Sequence, residues 1–189
     1  KKIGQIECDY NKLYGTDFVD VVDVCIYKDT DLSTFSVNSK IKKMYIELTS
    51  SNYKTRTQEA YGYFPNATEI YYFDDGSIST LSGTYSGTGT PGQDTMEKIV
   101  YMEGYFKNIT QLSRLTWYQK GVKSIDIRGL NSGKVTRMDS TFMGLNNLEE
   151  VIGLDDFDAS NITTASQLFF ECSKFNKLID LSNFTQLKT

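Results

Sequence analysis

Residues 135–184 read VTRMDSTFMGLNNLEEVIGLDDFDASNITTASQLFFECSKFNKLIDLSNF, and one phrase occurs in them twice. Val135-Thr136 returns as Ile162-Thr163, Phe142 as Phe169, and Leu148-x-x-Val151 as Phe175-x-x-Leu178, each 27 residues later. A unit this short cannot bury its own apolar face. Self-similarity at such a period therefore points to coils that stack and share one continuous core.

The period extends toward the N-terminus. Apolar-x-x-apolar-x-apolar triplets occur at Ile41-x-x-Met44-x-Ile46, Ala67-x-x-Ile70-x-Tyr72, Met96-x-x-Ile99-x-Tyr101 and Val122-x-x-Ile125-x-Ile127. Their central residues, continued by Val151 and Leu178, are separated by 26, 29, 26, 26 and 27 residues. The alternation within each triplet is that of a short strand. Copies running in one direction predict a parallel sheet. Nine residues upstream of the anchors stands an aromatic column, Phe35, Tyr61, Phe142 and Phe169, with Trp117 one place out of phase. This column is expected on the opposite wall, carried by a helical turn or a short helix such as 135–144. The long interval contains LSGTYSGTGTPGQD (81–94), whose Gly83, Gly87, Gly89, Gly92 and Pro91 predict a surface loop extruded from one coil. The expected fold is thus an α/β leucine-rich-repeat solenoid, right-handed, with a parallel sheet on one face and short helices or turns on the other. Residues 35–189 form the solenoid. Residues 1–34, where Ile3-x-x-Ile6-x-Cys8 and Val19-x-x-Val22-x-Val24 repeat the pattern out of phase, are expected to be degenerate coils or a cap.

The regular half resembles the BspA-like leucine-rich repeats of bacterial surface proteins. Val135-Thr136, Met138, Phe142 and Leu148 fit one unit of that pattern. Ile162-Thr163, Phe169, Cys172, Leu181-Ser182 and Phe184 fit the next, with Phe157-Asp158 and Ser160-Asn161 in the joining turn. Thr141, Leu145, Ala159 and Ala165 depart from it by small or apolar exchanges. The resemblance implies a curved solenoid, secreted or attached to the cell surface, used for adhesion or recognition, with no shared catalytic residues.

Composition narrows the function classes. The chain has 189 residues, 39% hydrophobic and 23% charged, with a net charge of −4 and no histidine. Lack of histidine removes the commonest acid–base group, the Ser-His and Cys-His pairs and imidazole-ligated metals. An acidic chain with scattered lysines gains little from counterion release, so no nucleic-acid partner is expected. No apolar run approaches the ~18 residues of a membrane span, so direct insertion is not expected either. The adjacent carboxylates Asp74-Asp75 and Asp155-Asp156, and Asp29 with Asp31, read as turn residues rather than as an acid pair or a calcium loop. Of three cysteines, Cys172 falls on a core position, and Cys8 and Cys25 could pair if their strands are neighbours. Sequons begin at Asn66, Asn108, Asn161 and Asn183, two of them produced by the repeat's own N-I-T phrase. No catalytic residue, metal or cofactor is expected.

Strand alternation separates core from outer face. The residues before the anchors are Lys43, Glu69, Lys98, Ser124, Glu150 and Lys177, which must face outward. Tyr45, Glu47, Tyr71, Phe73, Val100, Met102, Asp126 and Arg128 share that face. An open aromatic and apolar sheet surface usually marks an interaction site, so these eight are the candidate ligand contacts. The expected partner is a protein or a glycan. The competing expectation is a structural spacer or self-associating component of a larger surface assembly, with end-to-end or homo-oligomeric contact at an uncapped C-terminal edge.

Overall fold

The computed structural model describes residues 23–83 and 89–188, together with the backbone of 2–3, 6–7 and 85–86. Ten strands occur in it: β1 (Lys2–Ile3), β2 (Ile6–Glu7), β3 (Asp23–Ile26), β4 (Lys43–Leu48), β5 (Glu69–Asp74), β6 (Tyr85–Ser86), β7 (Lys98–Tyr101), β8 (Thr116–Trp117), β9 (Ser124–Asp126) and β10 (Glu150–Ile152). One α-helix, α1 (Arg56–Tyr61), lies between β4 and β5. Six strands form a parallel sheet in the order β10-β9-β7-β5-β4-β3. The chain is a right-handed repeat solenoid built on that sheet.

Register follows the repeat. Met44 pairs with Ile70, Ile70 with Ile99, Ile99 with Ile125 and Ile125 with Val151. The first four of these anchors are no more than 1% exposed, because each is roofed by the coil before and the coil after. β3 joins the sheet with Val24, not Val22, opposite Met44, so the sheet begins at Asp23, inside the segment expected to be degenerate coils or a cap. The Ile3/Ile6 copy is no coil: β1 and β2 pair antiparallel. Val19 and Val22 lie outside the described residues. At the other end Leu178 is not in a strand and is fully exposed (101%), although its neighbour Lys177 keeps an ion pair to Glu150 at 3.6 Å. No later coil covers that position within the described residues.

The wall opposite the sheet differs from expectation in a telling way. Residues 135–144 form turns, not a helix. The N–H groups of Leu112, Arg114, Thr116 and Tyr118 donate to the carbonyls of Arg137, Asp139, Thr141 and Met143 at 2.9–3.0 Å. One coil later, Met138, Ser140, Phe142 and Gly144 donate in the same manner to Thr164, Ser166, Leu168 and Phe170. Every second amide is satisfied by the next coil, and Thr136, Ser140, Thr141 and Gly144 are poor helix formers, so the helical i→i−4 ladder has nothing to gain. The chain turns instead through left-handed residues at equivalent places: Arg114, Ser140 and Gln167 (φ 54–55°), then Tyr118, Gly144 and Glu171. Gly144 is required twice over. Its φ is +77° and a Cβ there would sit 2.4 Å from the Tyr118 ring. The aromatic column packs along this wall, Phe142 stacking on Phe169 at 5.2 Å and Phe169 on Phe175 at 4.5 Å.

Part of the glycine-rich segment also belongs to the coil. Leu81 is buried, its N–H donates to Gln111, and β6 pairs parallel with β8. Gly92 lies against Tyr61, where a Cβ would come within 2.5 Å of the ring. Two further motifs tie the coils together. The sequon asparagines donate from Nδ2 to carbonyls of the preceding coil: Asn66 to Ser39, Asn108 to Gly76, Asn161 to Gly133 and Asn183 to Asp155, at 2.8–3.1 Å. Three sequon hydroxyls or their equivalents form a threonine row, Thr110 Oγ1 to Ser79 O, Thr136 to Thr110 and Thr163 to Thr136. The sequons are thus inter-coil clamps. The Asp-x-Ser turns recur too, Asp31, Asp75, Asp158 and Asp180 each accepting the N–H two residues on. These bonds hold all four carboxyls below the usual carboxylate range; burial opposes the shift at Asp75 without overcoming it.

Candidate functional site

The outer face of the sheet carries three rows in register. The first begins at Asp23 and continues through Lys43, Glu69, Lys98, Ser124 and Glu150, with Lys177 alongside. Charge alternates along its front part. Glu69 bridges Lys43 and Lys98, at 3.7 Å to each ammonium. The second row is Cys25, Tyr45, Tyr71, Val100, Asp126 and Ile152. The third, at the strand ends, includes Glu47 beside Phe73.

Register therefore places Tyr45, Glu47, Tyr71, Phe73, Val100 and Asp126 on one face, while Met102 and Arg128 lie just beyond the ends of β7 and β9; the face is largely closed. Tyr45 (7% exposed) stacks on Tyr71 at 4.9 Å and lies next to the buried Cys25. Burial, and then the nearby Asp23, push the Tyr45 hydroxyl up to about 12. Phe73 (4% exposed) is held between Tyr27, edge-on at 6.1 Å, and Tyr105, tilted at 5.6 Å. Met102 is buried and its N–H donates to Tyr72. These three were expected to be open. They are covered because turn residues such as Tyr27 and Tyr105 fold back over the C-terminal ends of the strands, and because neighbouring rings pack on each other.

The polar candidates are committed to the fold as well. Glu47 Oε2 accepts the Lys28 N–H at 2.8 Å. Buried Asp126 accepts the Arg128 N–H and a forked pair from its guanidinium, the shortest bond being 2.7 Å. Arg128 itself is exposed. What stays accessible is the half-buried Tyr71, with Lys43 and Lys98 each 5.7 Å from its ring centre, and the half-buried Val100 beside it. Burial works against the Lys98 charge, but Tyr71 and Glu69 outweigh it and the ammonium is held above its ordinary range. The sequence reading placed Lys43, Glu69 and Lys98 on this face without assigning them to the site. Their alternating sign, opposite a tyrosine, was the available signal.

Other candidate chemistry falls away. Asp74 is no solvated turn residue: it is 7% exposed, burial raises its pKa, and one carboxylate oxygen accepts the N–H of Phe106 at 2.9 Å. Phe106 has a left-handed φ of 55°, so this carboxylate pins a turn. Asp155 and Asp156 are exposed, and Asp31 is occupied by Ser33. Among the described residues no group of three His, Cys, Asp or Glu side chains is placed to hold a metal ion. Cys25 is disulfide-bonded, and Cys8 lies outside the described residues. Cys172 is free and buried, its thiol donating to Phe142 O at 2.9 Å. No helix among the described residues is long and apolar enough to cross a membrane.

Residues 100–189 match the family described as "Mycoplasma protein of unknown function, DUF285". The matched span starts on β7 and takes in the most regular coils. No curated protein and no solved structure matches the chain.

Proposed function

We propose that this chain is a non-catalytic recognition module of a cell-surface or secreted repeat protein, and that it binds a protein or glycan ligand over the sheet face at Tyr71. The observation carrying this reading is the Lys43–Glu69–Lys98 bridge around the accessible Tyr71, on a face where Tyr45, Phe73 and Met102 are buried. Two ammoniums, one carboxylate and a phenol edge offer polar contacts of both signs on a platform that loses little entropy on binding. The resemblance to BspA-like surface repeats supports placement outside the cell, as does the disulfide at Cys25, since such bonds persist in oxidising compartments. Absence of histidine and the commitment of Asp74, Asp126 and Glu47 to backbone or local pairs support a non-catalytic role.

A printed glycan array and immobilised extracellular-matrix proteins, probed with the wild-type chain and with Tyr71→Ala, test the reading. The expected result is binding to at least one class, lost by about tenfold or more in the variant, with its far-ultraviolet dichroism intact. Equal binding by the two proteins refutes the assignment of the face.

A further inference from the structure

The stacked rings on the outer face stop one strand short of where their row could carry them. Tyr45 and Tyr71 sit in register on β4 and β5 with ring centres 4.9 Å apart, the spacing of neighbouring strands, about 4.8 Å. A third ring at the same step would stand over position 100 of β7, and the residue there is the half-buried Val100. Tyr45 covers one face of Tyr71, and no ring covers the other among the described residues. The Lys98 ammonium donates a hydrogen bond to the Tyr71 side chain and lies 5.7 Å from the ring centre. It therefore stands at the hydroxyl end and leaves that second face clear.

The charges beside this place are out of balance. Along the row Asp23, Lys43, Glu69, Lys98, Ser124 and Glu150, signs alternate as far as Lys98 and break at Ser124. Lys43 has Glu69 on one side and Asp23 in register on the other. Lys98 has only Glu69, shared with Lys43 at 3.7 Å to each ammonium, and a neutral hydroxyl on its far side. Glu150 is paired with Lys177, and Asp126 with Arg128. The Ser124 hydroxyl makes no hydrogen bond among the described residues. An anionic group between Lys98 and Ser124 would meet two donors, one of them charged. We propose that this notch takes one uronic acid residue of an acidic glycan, its ring on the free face of Tyr71 above Val100 and its carboxylate on Lys98 and Ser124. The inference rests on the Tyr71 reading and names the ligand class of that site. A floor of one valine offers no pocket for the buried aromatic anchors on which protein partners rely, which favours a pyranose over a protein side chain.

The probes are hexamers of galacturonate and of the glucuronate–N-acetylglucosamine repeat, each beside its carboxyl-reduced form, titrated calorimetrically into the chain. At least one acidic hexamer should bind about tenfold or more tighter than its reduced form, with a preference that shrinks as salt is raised. Lys98→Gln should remove the preference and Lys98→Arg restore it. Val100→Tyr, which sets a third ring beside Tyr71, should weaken acidic and reduced forms alike by about tenfold or more without lowering the melting temperature. Equal affinity for acidic and reduced forms overturns the uronate assignment; if Tyr71→Ala still abolishes that binding, the Tyr71 reading stands without it. A preference that survives Lys98→Gln, or no binding by any hexamer, overturns the proposal as well. Hexaglutamate bound through Lys98 as tightly as the acidic hexamers overturns the choice of a glycan. Binding that Tyr71→Ala leaves unchanged tells against both readings.

Discussion

Phe73 and Tyr71 stand two residues apart on β5 and point to the same side of the sheet, yet the structure assigns them different burdens. Phe73 is 4% exposed and touches two rings, Tyr27 and Tyr105. Removing a buried phenylalanine down to alanine costs about 3–5 kcal/mol, the cavity included, and loss of the two ring pairs falls within that range. Tyr71 keeps one stacked partner, Tyr45, and is half-buried; a single pair is worth about 0.5–1.5 kcal/mol beyond its area. Phe73→Ala should therefore lose about 3–4 kcal/mol and Tyr71→Ala about 1–2 kcal/mol. In a chain of this size the first amounts to a drop in melting temperature of roughly 6–15 °C. Urea titrations followed by far-ultraviolet dichroism, with heat scans beside them, read both. A Phe73→Ala protein within about 1 kcal/mol of wild type means that the outer face is open after all, and the argument that turns cover it fails.

Three further outcomes follow from the opposite wall. Gly144→Ala must hold an L-residue at φ +77° with its Cβ pressed into the Tyr118 ring; a loss of about 2–4 kcal/mol is expected from the left-handed strain and the clash together, and a neutral substitution in urea denaturation rules out that contact. Asn161→Asp replaces the Nδ2 donor to Gly133 O with an oxygen and should cost about 0.5–1.5 kcal/mol, whereas Asn161→Gln, one methylene longer, should not recover it; equal urea midpoints for wild type and Asp refute the clamp. Burial pushes the Cys172 thiol up to about 11, so the fold favours the protonated form. That contribution is full below the ordinary thiol range and is lost as pH rises toward 11. Iodoacetamide should accordingly label Cys172 at pH 8 only after urea unfolding, and prompt labelling of the native protein contradicts its burial.

The core was readable because it obeys a period. Met44, Ile70, Ile99 and Ile125 had to share a column whatever the details, since a coil of ~26 residues can bury an apolar residue only against its neighbours. The wall of turns was not readable, because Thr136, Ser140, Thr141 and Gly144 disfavour a helix without specifying what replaces it. The decision there is made by the next coil, which offers a carbonyl to every second amide. A sequence pattern of threonine, serine and glycine at fixed repeat positions reports that such turns recur, but not that every second amide donates to the next coil. Leu178, one repeat after Val151, is exposed because no further coil packs on it among the described residues.

The outer face shows how far alternation can carry a functional reading. Period two settles which side of the sheet a residue occupies, and the register of Lys43, Glu69 and Lys98 or of Tyr45, Tyr71 and Val100 agrees with it throughout. It says nothing of what folds over that side. Tyr27 and Tyr105 belong to turns outside the strand pattern, and they convert Phe73 from a contact residue into a second core. The aromatic richness of the chain, 13 tyrosines and 11 phenylalanines, thus serves two layers, one inside the coils and one over the sheet. Beside the ion bridge through Glu69, Tyr71 remains half-exposed while Tyr45 next to it is buried. A ligand that binds there meets a surface already paid for in packing, with Tyr45 behind Tyr71 and ammoniums on either side. Binding energy and fold stability are consequently separable at Tyr71 and inseparable at Phe73, and a mutational scan of the face should divide along that line.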